Sequence, residues 1–510
     1  MRCIAALDQG TQSTRFLLYN PNAELVASHH LEFEQITRQP GWVEHDPLEI
    51  WSTVLQCVEN GLCTARRKHA DLEVVALGIT NQRETTMAWD RRTGQPLYNA
   101  IVWLDRRTSA ICQRLTKELG SGDAFRGTTG LPVSTYFSAF KWLWLLENVE
   151  AVAAARAEGH CMVGTMDAWL MYNLTGGVNG GIFVTDVSNA ARTCLMDIHS
   201  RRWDPALLER FQLSTDMLPC ICSNAEVYGR IRDGPLAGVP IAGCLGDQQA
   251  AMLGQRCRPM EAKNTYGTGC FLLLHTGTEA VASQAGLLTT MAYQLGPEEP
   301  PQYALEGSIA IAGAGVSWLR DRMGLIDSAA DSEAVASSVA DTGGVYFVPA
   351  FGGLLAPHWR DDARGVILGL SSYTSRGHIV RALLEAITWQ TKEVLDAMLK
   401  DAKQTGFKLL RVDGGASQNN LLMQLQADAI QIPVRRPKHL ETTSLGAAFA
   451  AGIATGFWSK DWVLGSGATN QREDHTDFTP QVDRETVDRR FRCWQKAVVR
   501  SFDLEDFERQ

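Results

Sequence analysis

The chain opens on an apolar run, Cys3-Ile4-Ala5-Ala6-Leu7, breaks at the polar turn Asp8-Gln9-Gly10-Thr11, and resumes as Phe16-Leu17-Leu18-Tyr19. Short apolar runs around a Gly-bearing turn predict two strands joined by a tight connection. Val74 to Ile79 reads as a further strand. Before it, Asp46-Pro47-Leu48-Glu49 offers an acidic N-cap and a proline at the first helical position. Trp51, Val54, Leu55 and Val58 then supply an apolar stripe at helical spacing. Phe137 to Leu146 is strongly apolar, with aromatic residues around Lys141 that are read as core packing. Gly238 to Cys244 predicts a strand entering Leu245-Gly246-Asp247-Gln248-Gln249, with an apolar helix over Ala250 to Gly254. The change of character around 235–260 predicts a seam between two halves.

Beyond that seam the opening pattern recurs. Asn264-Thr265-Tyr266-Gly267-Thr268-Gly269 is a polar turn leading into the strand-like Cys270 to Leu274. Leu409 to Val412 runs into Asp413-Gly414-Gly415-Ala416, and Gln418-Asn419-Asn420 opens a helix. Thr442 to Ser459 is uncharged but Gly-containing, which predicts a core helix rather than a membrane span. The charged stretch Asn470 to Arg490 is expected to be a solvated appendage. Strand-like and helix-like runs alternate, which gives an α/β class. A length of 510 residues calls for two or more domains. Hydroxyl-bearing turns on both sides of the seam point to two related α/β halves that hold nucleotide between them.

Composition narrows the partners. The chain is 45% hydrophobic and 21% charged, as in a soluble globular protein. A net charge of -9 with no long basic run argues against nucleic acid. None of the twelve cysteines forms a C-x-x-C pair, and Cys220-Ile221-Cys222 is too tight for a zinc knuckle. Reduced thiols in a cytoplasmic protein are therefore expected. Asp8 interrupts the N-terminal apolar run too early for a signal peptide, and Phe507-Glu508-Arg509-Gln510 is not a peroxisomal address.

The Asp8–Thr11 turn has its own chemistry. Thr11, Gln12, Ser13 and Thr14 offer hydroxyls, an amide and backbone N–H groups, and Arg15 adds a fixed positive charge. Such a turn can hold phosphate, and an acid at the strand end can hold Mg²⁺ directly or through its waters. The plainer reading is a hairpin with a polar turn.

Six segments together resemble the FGGY carbohydrate kinases, within the actin/hexokinase/Hsp70 ATPase superfamily. They are Asp8–Thr11, Gly41-Trp42-Val43-Glu44-His45-Asp46, Ile79 to Thr86, Ala100-Ile101-Val102-Trp103, Gly246-Asp247-Gln248-Gln249 and Lys263 to Cys270. The resemblance covers about residues 3–460. Tyr136 to Lys141 is similar to the first pattern of that family. Gly365 to Glu385, with Gly369 and His378, is similar to the second. Asn81-Gln82-Arg83-Glu84-Thr85 resembles the members that phosphorylate glycerol rather than pentoses, and the insert Gly176 to Gly181 resembles their eukaryotic branch.

This resemblance implies two ribonuclease-H-like domains around a central cleft. Residues 1–255 would carry the glycerol site and the first phosphate turn, 256–465 would bind nucleotide, and 466–510 would form a charged, helical tail. It implies ATP-dependent conversion of glycerol to sn-glycerol 3-phosphate, with Mg²⁺, in a cytoplasmic homo-oligomer (dimer or tetramer). Arg83, Glu84, Trp103, Tyr136, Asp247, Gln248 and Phe271 would line the glycerol pocket, with Asp247 as general base. Asp8 and Asp247 would hold Mg²⁺. Thr11, Gln12, Ser13, Arg15, Thr268, Gly313, Ser317, Gly415 and Asn419 would contact the nucleotide. Bland alternatives stand beside these roles: a surface ion pair for Arg83–Glu84, a helix N-cap for Asp247, core burial for Trp103, tight turns for the glycines. A kinase of another small polyol or triose such as dihydroxyacetone, and a non-catalytic nucleotide-binding protein, are the rival functions. Gln12 replaces the family's usual Thr, Ser317 a frequent bacterial Gln, and His358 and Arg360 depart from the usual Pro-Tyr-Trp context.

Overall fold

The computed structural model describes residues 1–404, 406–465 and 475–504. Two large sheets organise them. In the first, the strands lie in the order Gly229–Arg230, Pro240–Gly246, Glu73–Asn81, Arg2–Gln9, Ser13–Tyr19, Leu25–Glu32. Arg2–Gln9 and Ser13–Tyr19 form the expected antiparallel hairpin, with Asp8 opposite Arg15. Arg2–Gln9 runs parallel to Glu73–Asn81, which runs parallel to Pro240–Gly246. Their register aligns Gln9 with Asn81 and Asn81 with Gly246, so three parallel strands end level. Ligands of open α/β sheets bind outside such carboxyl ends.

The second sheet repeats the device. Its order is Leu288–Tyr293, Gln302–Ile309, Cys270–Gly277, Ala262–Tyr266, Leu410–Asp413, Val434–Pro437, His475–Phe478. Ala262–Tyr266 pairs antiparallel with Cys270–Gly277 and parallel with Leu410–Asp413, which aligns Thr265 with Asp413. The two Gly/Thr turns are thus hairpin tips beside parallel strand ends, one in each sheet.

Local expectations hold where capping chemistry is strong. Asp46 accepts a hydrogen bond from the Leu48 N–H at 2.8 Å and starts the helix Pro47–Lys68. Its buried face differs from the expected stripe: Ile50, Val54, Cys57, Val58 and Leu62 are buried, whereas Leu55 is exposed and Trp51 half-buried. The helix expected over Ala250–Gly254 begins three residues earlier, at Asp247. Gly246 occupies the N-cap, so Asp247 is the first helical residue and not the cap.

The tail is no appendage. Residues 470–474 lie outside the described residues. His475–Phe478, however, pairs antiparallel with Val434–Pro437 and extends the second sheet. The helix Arg484–Val499 buries Val487, Trp494, Ala497 and Val498 on one face. Its many charges occupy the other positions, which is why composition alone suggested solvation.

One helix crosses between the halves. Thr442–Ala454 lies in sequence between the strands Val434–Pro437 and His475–Phe478 of the second sheet but packs on the first sheet and on the helix Asp247–Gly254. The approach is backbone to backbone through small residues. A methyl group at Gly446 would overlap the Ala250 carbonyl, one at Gly78 the Ala447 carbonyl, and one at Gly254 the Thr442 carbonyl. No helix among the described residues is long and apolar enough to cross a membrane. All twelve cysteines are free thiols.

Gly446→Ala would gain about 1 kcal/mol in helix propensity. The overlap with Ala250 should outweigh this gain, giving a net loss of about 1–3 kcal/mol. Calorimetry should show a lowered thermal midpoint for Gly446→Ala and an unchanged one for Gly122→Ala, whose added methyl meets only open space.

Candidate active site

The first turn leaves the strand Arg2–Gln9 and closes tightly, with the Gly10 N–H donating to the Ser13 carbonyl at 2.9 Å. Thr14 points inward to Thr53 at 2.8 Å, while Thr11 and Ser13 are partly exposed and Gln12 and Arg15 exposed. Arg15 lies 3.2 Å from Glu441. Asp8 is buried at the strand end. Burial pushes its carboxyl up to about 7, helped by Glu441 and Asp247 and opposed by Arg15. A carboxyl under this pressure from other carboxylates is suited to a divalent cation.

The neighbouring strand Glu73–Asn81 delivers the second turn. Gln82 ties the two together: its backbone N–H donates to the Gln9 carbonyl at 2.8 Å and its amide to the Gly10 carbonyl at 3.1 Å. Thr85 Oγ1 in turn donates to Gln82 Oε1 at 2.9 Å. Glu84 adopts a left-handed conformation with φ 59°, a strain held by Ser138 and Thr86 hydroxyls that both donate to its carbonyl.

Arg83 and Glu84 are not a surface ion pair. Both are buried, and their closest charged atoms are 4.0 Å apart. Arg83 instead forks onto Glu306 of the second sheet, at 2.6 and 2.8 Å, and sets its Nε 3.2 Å from Asp247 Oδ1. Glu84 accepts from Arg192 Nε at 2.5 Å. Gly246 lets the Arg83 stem pass, because a methyl there would sit 2.6 Å from Arg83 Cγ.

Asp247 starts its helix at the end of the third parallel strand and accepts from the Gln248 N–H at 2.7 Å. It keeps 31% of its side chain exposed, against 2% for Arg83. Burial pushes its carboxyl up, against the pull of Arg83 and Lys263. Buried Lys263 donates to Gln248 Oε1 and, at 2.8 Å, to Thr265 Oγ1. The ring of Trp103 lies 5.6 Å from that of Tyr136 and 5.7 Å from that of Phe271. Its indole N–H donates to Thr11 Oγ1 at 3.0 Å. Lys141 is fully buried, and its ammonium donates to the carbonyls of Thr135 and Tyr136 at 2.9 and 2.6 Å, which fixes the segment carrying Tyr136.

On the other side, the Gly267-Thr268 carbonyls accept from the Ala312, Gly313 and Ala314 N–H groups, each at 3.0 Å. This seats the Gly267–Thr268 turn on the start of the helix Gly313–Asp321, which also carries half-buried Ser317. Gly313 is required by that contact, since a methyl there would lie 2.6 Å from the Gly267 carbonyl oxygen. At the third turn the tight glycine is Gly414, with φ 85° against Tyr266, while Gly415 faces open space. Asn419 caps the helix Asn420–Ile430 by accepting from the Leu422 N–H at 2.8 Å and also donates to Ser332.

Comparison with known proteins fits this geometry. Residues 3–254 match the N-terminal domain, and 262–455 the C-terminal domain, of the FGGY family of carbohydrate kinases. The chain belongs to this family. The glycerol kinase of Arabidopsis thaliana is 52% identical to it over 514 aligned residues, covering 99% of this chain and 98% of the relative. That of Chloroflexus aurantiacus is 53% identical over 502, covering 98% of both. The crystal structure of Plasmodium falciparum glycerol kinase with ADP superposes with a TM-score of 0.91 at 40% identity, over 98% of both chains. The fold is therefore the two-domain FGGY form of the actin/hexokinase-like ATPases.

Within this FGGY kinase, the sequence motifs named the turns but missed the charges behind them. Glu306, Arg192 and Lys263 are fully buried partners of Arg83, Glu84 and Gln248. The advance signs were a lone charge inside an apolar stretch, Ala304-Leu305-Glu306-Gly307, and the place of Lys263 at the head of the family-like segment Lys263 to Cys270. The family departures are locally accommodated: Arg360 pairs with Asp362 and Asp503, and His358 lies 3.2 Å from Glu393.

The Asp8 carboxyl is raised by folding, so its contribution to stability is present below about pH 4 and is lost as pH rises through about 7. Denaturant titrations should show wild type losing on the order of 1–4 kcal/mol relative to Asp8→Asn between pH 4 and 8. Parallel curves would remove the assigned cause.

Proposed function

We propose that this chain transfers the γ-phosphoryl group of ATP to a terminal hydroxyl of glycerol, giving sn-glycerol 3-phosphate and ADP. One observation carries the reading: Tyr136 lies beside the buried charges of Arg83, Glu84 and Arg192, its ring packs on Trp103 and Trp103 on Phe271, and the Trp103 indole N–H donates to Thr11 of the phosphate-type turn. Full-length relatives named glycerol kinase support it.

The chemistry follows from the side chains. Arg83 Nε and the Glu84 carboxylate orient hydroxyls by donating and accepting. The aromatic rings pack on the carbon chain, and Gln248 completes the polar wall. Asp247 accepts the proton of the attacking hydroxyl as its oxygen bonds to the γ-phosphorus and the bond to the β-phosphate oxygen breaks. Burial raises its carboxyl, which makes it a stronger proton acceptor than an exposed aspartate. The Gly10–Ser13 turn, with Thr11, Gln12, Ser13 and Arg15, holds the phosphates from one side and Thr268 from the other. Gly313, Ser317, Gly415 and Asn419 border the nucleotide, with Gly415 leaving space for it. Asp8 and Asp247 would hold Mg²⁺, which neutralises charge on the phosphoryl group in transit. Free thiols, including exposed Cys63 and Cys220, support a reducing cytoplasmic setting. A homo-oligomer is the assembly the family resemblance supports.

Purified protein should consume ATP on addition of glycerol and far less with xylulose, gluconate or dihydroxyacetone. ATP binding without glycerol-dependent turnover would favour a non-catalytic role instead. Asp247→Asn should keep its fold and glycerol binding while kcat falls about 100-fold or more; full activity in that variant would remove Asp247 as the base.

A further inference from the structure

Four charged side chains behind the pocket form a closed ring. Arg83 forks onto Glu306 at 2.6 and 2.8 Å. Arg192 Nη2 lies 3.3 Å from Glu306. Arg192 Nε donates to Glu84 at 2.5 Å, and Glu84 returns to Arg83 at 4.0 Å. Each side chain is at most 2% exposed, and the charges sum to zero. Burial pushes the Glu306 carboxyl up, but Arg192 and Arg83 outweigh it and hold it at about 2, so it stays ionised.

The ring decides what Arg83 can offer a substrate. A guanidinium fork matches the two oxygens of a carboxylate or phosphate. Here Glu306 already fills that fork, and what remains is the Nε edge facing Asp247, itself an anion. Arg192 gives its Nε to Glu84 and packs on one side against Tyr136 and Phe137, whose ring centres lie 5.4 and 5.3 Å from its guanidinium carbon. Arg83 therefore keeps a hydrogen-bonding edge for a hydroxyl but no open fork for an acid.

Resting on the glycerol reading above, we propose that Glu306 is a specificity-determining residue: by occupying the terminal nitrogens of Arg83, it closes the acceptor pocket to anionic three-carbon hydroxy compounds such as glycerate. Without its charge, two buried guanidinium groups face the single carboxylate of Glu84, an imbalance that an incoming acid relieves.

The test measures binding of glycerol and of glycerate by intrinsic tryptophan fluorescence, and glycerate inhibition of turnover, in wild type, Glu306→Gln and Glu306→Asp. Glu306→Gln should lower the ratio of the glycerate to the glycerol dissociation constant at least tenfold. Glu306→Asp, too short to keep the full fork, should shift it less but in the same direction, and it serves if the Gln variant does not fold. New affinity for an acid is a gain that a merely loosened fold does not produce. A ratio unchanged or raised in the folded variants would overturn the proposal. Wild type that neither binds nor phosphorylates glycerol would instead overturn the functional reading, while the glycerate titration still reports on Glu306.

Discussion

Everything at the site depends on three parallel strands that stop at one level. Arg2–Gln9, Glu73–Asn81 and Pro240–Gly246 come from stretches of chain far apart in sequence, yet their register aligns Gln9, Asn81 and Gly246. Each strand then releases one working segment: the phosphate-type turn, the Arg83–Glu84 turn and Asp247. A slip of one residue would reverse which side chains face the core and separate these segments. The sheet is therefore the ruler by which the proposed donor site, acceptor site and base are placed.

Polar connections refine what the sheet sets coarsely. Gln82 spends its backbone and amide on the first turn, and Thr85 Oγ1 holds the amide oxygen. Trp103 both packs on Tyr136 and Phe271 and donates a hydrogen bond to Thr11. Such networks are costly to bury unless complete, because a low-dielectric interior magnifies every unpaired group. The ring of Arg83, Glu306, Arg192 and Glu84 lowers that cost by pairing buried charges rather than excluding them, though Arg192 Nη1 and Nη2 keep no hydrogen-bond partner among the described residues, and it draws one member from the second sheet. The proposed acceptor pocket thus draws on both sheets.

Much of the frame was legible in the sequence because it rests on local chemistry. The Asp8–Thr11 turn, the Asp46-Pro47 helix start and the Asn419 cap are written in adjacent residues. The buried partners were not legible. Glu306 is 223 residues from Arg83, and Arg192 is 108 from Glu84, so only the folded registers bring them together. The Arg83–Glu84 pair was misleading for the same reason: neighbours in sequence, they point to different partners. The tail failed through composition, since the charges of Arg484–Val499 concealed an apolar face. At Asp413-Gly414-Gly415 the motif was right, but the backbone demand falls on Gly414.

The crossing helix Thr442–Ala454 has a consequence for how this protein is made. Its small residues cover the sheet whose central strands are already complete at Gly246. During synthesis, that apolar face stays open until residue 454 has left the ribosome. The two halves of the kinase are therefore poor candidates for separate modules, and the nascent chain carries an uncovered surface through the production of about two hundred further residues, a period in which chaperone protection matters most.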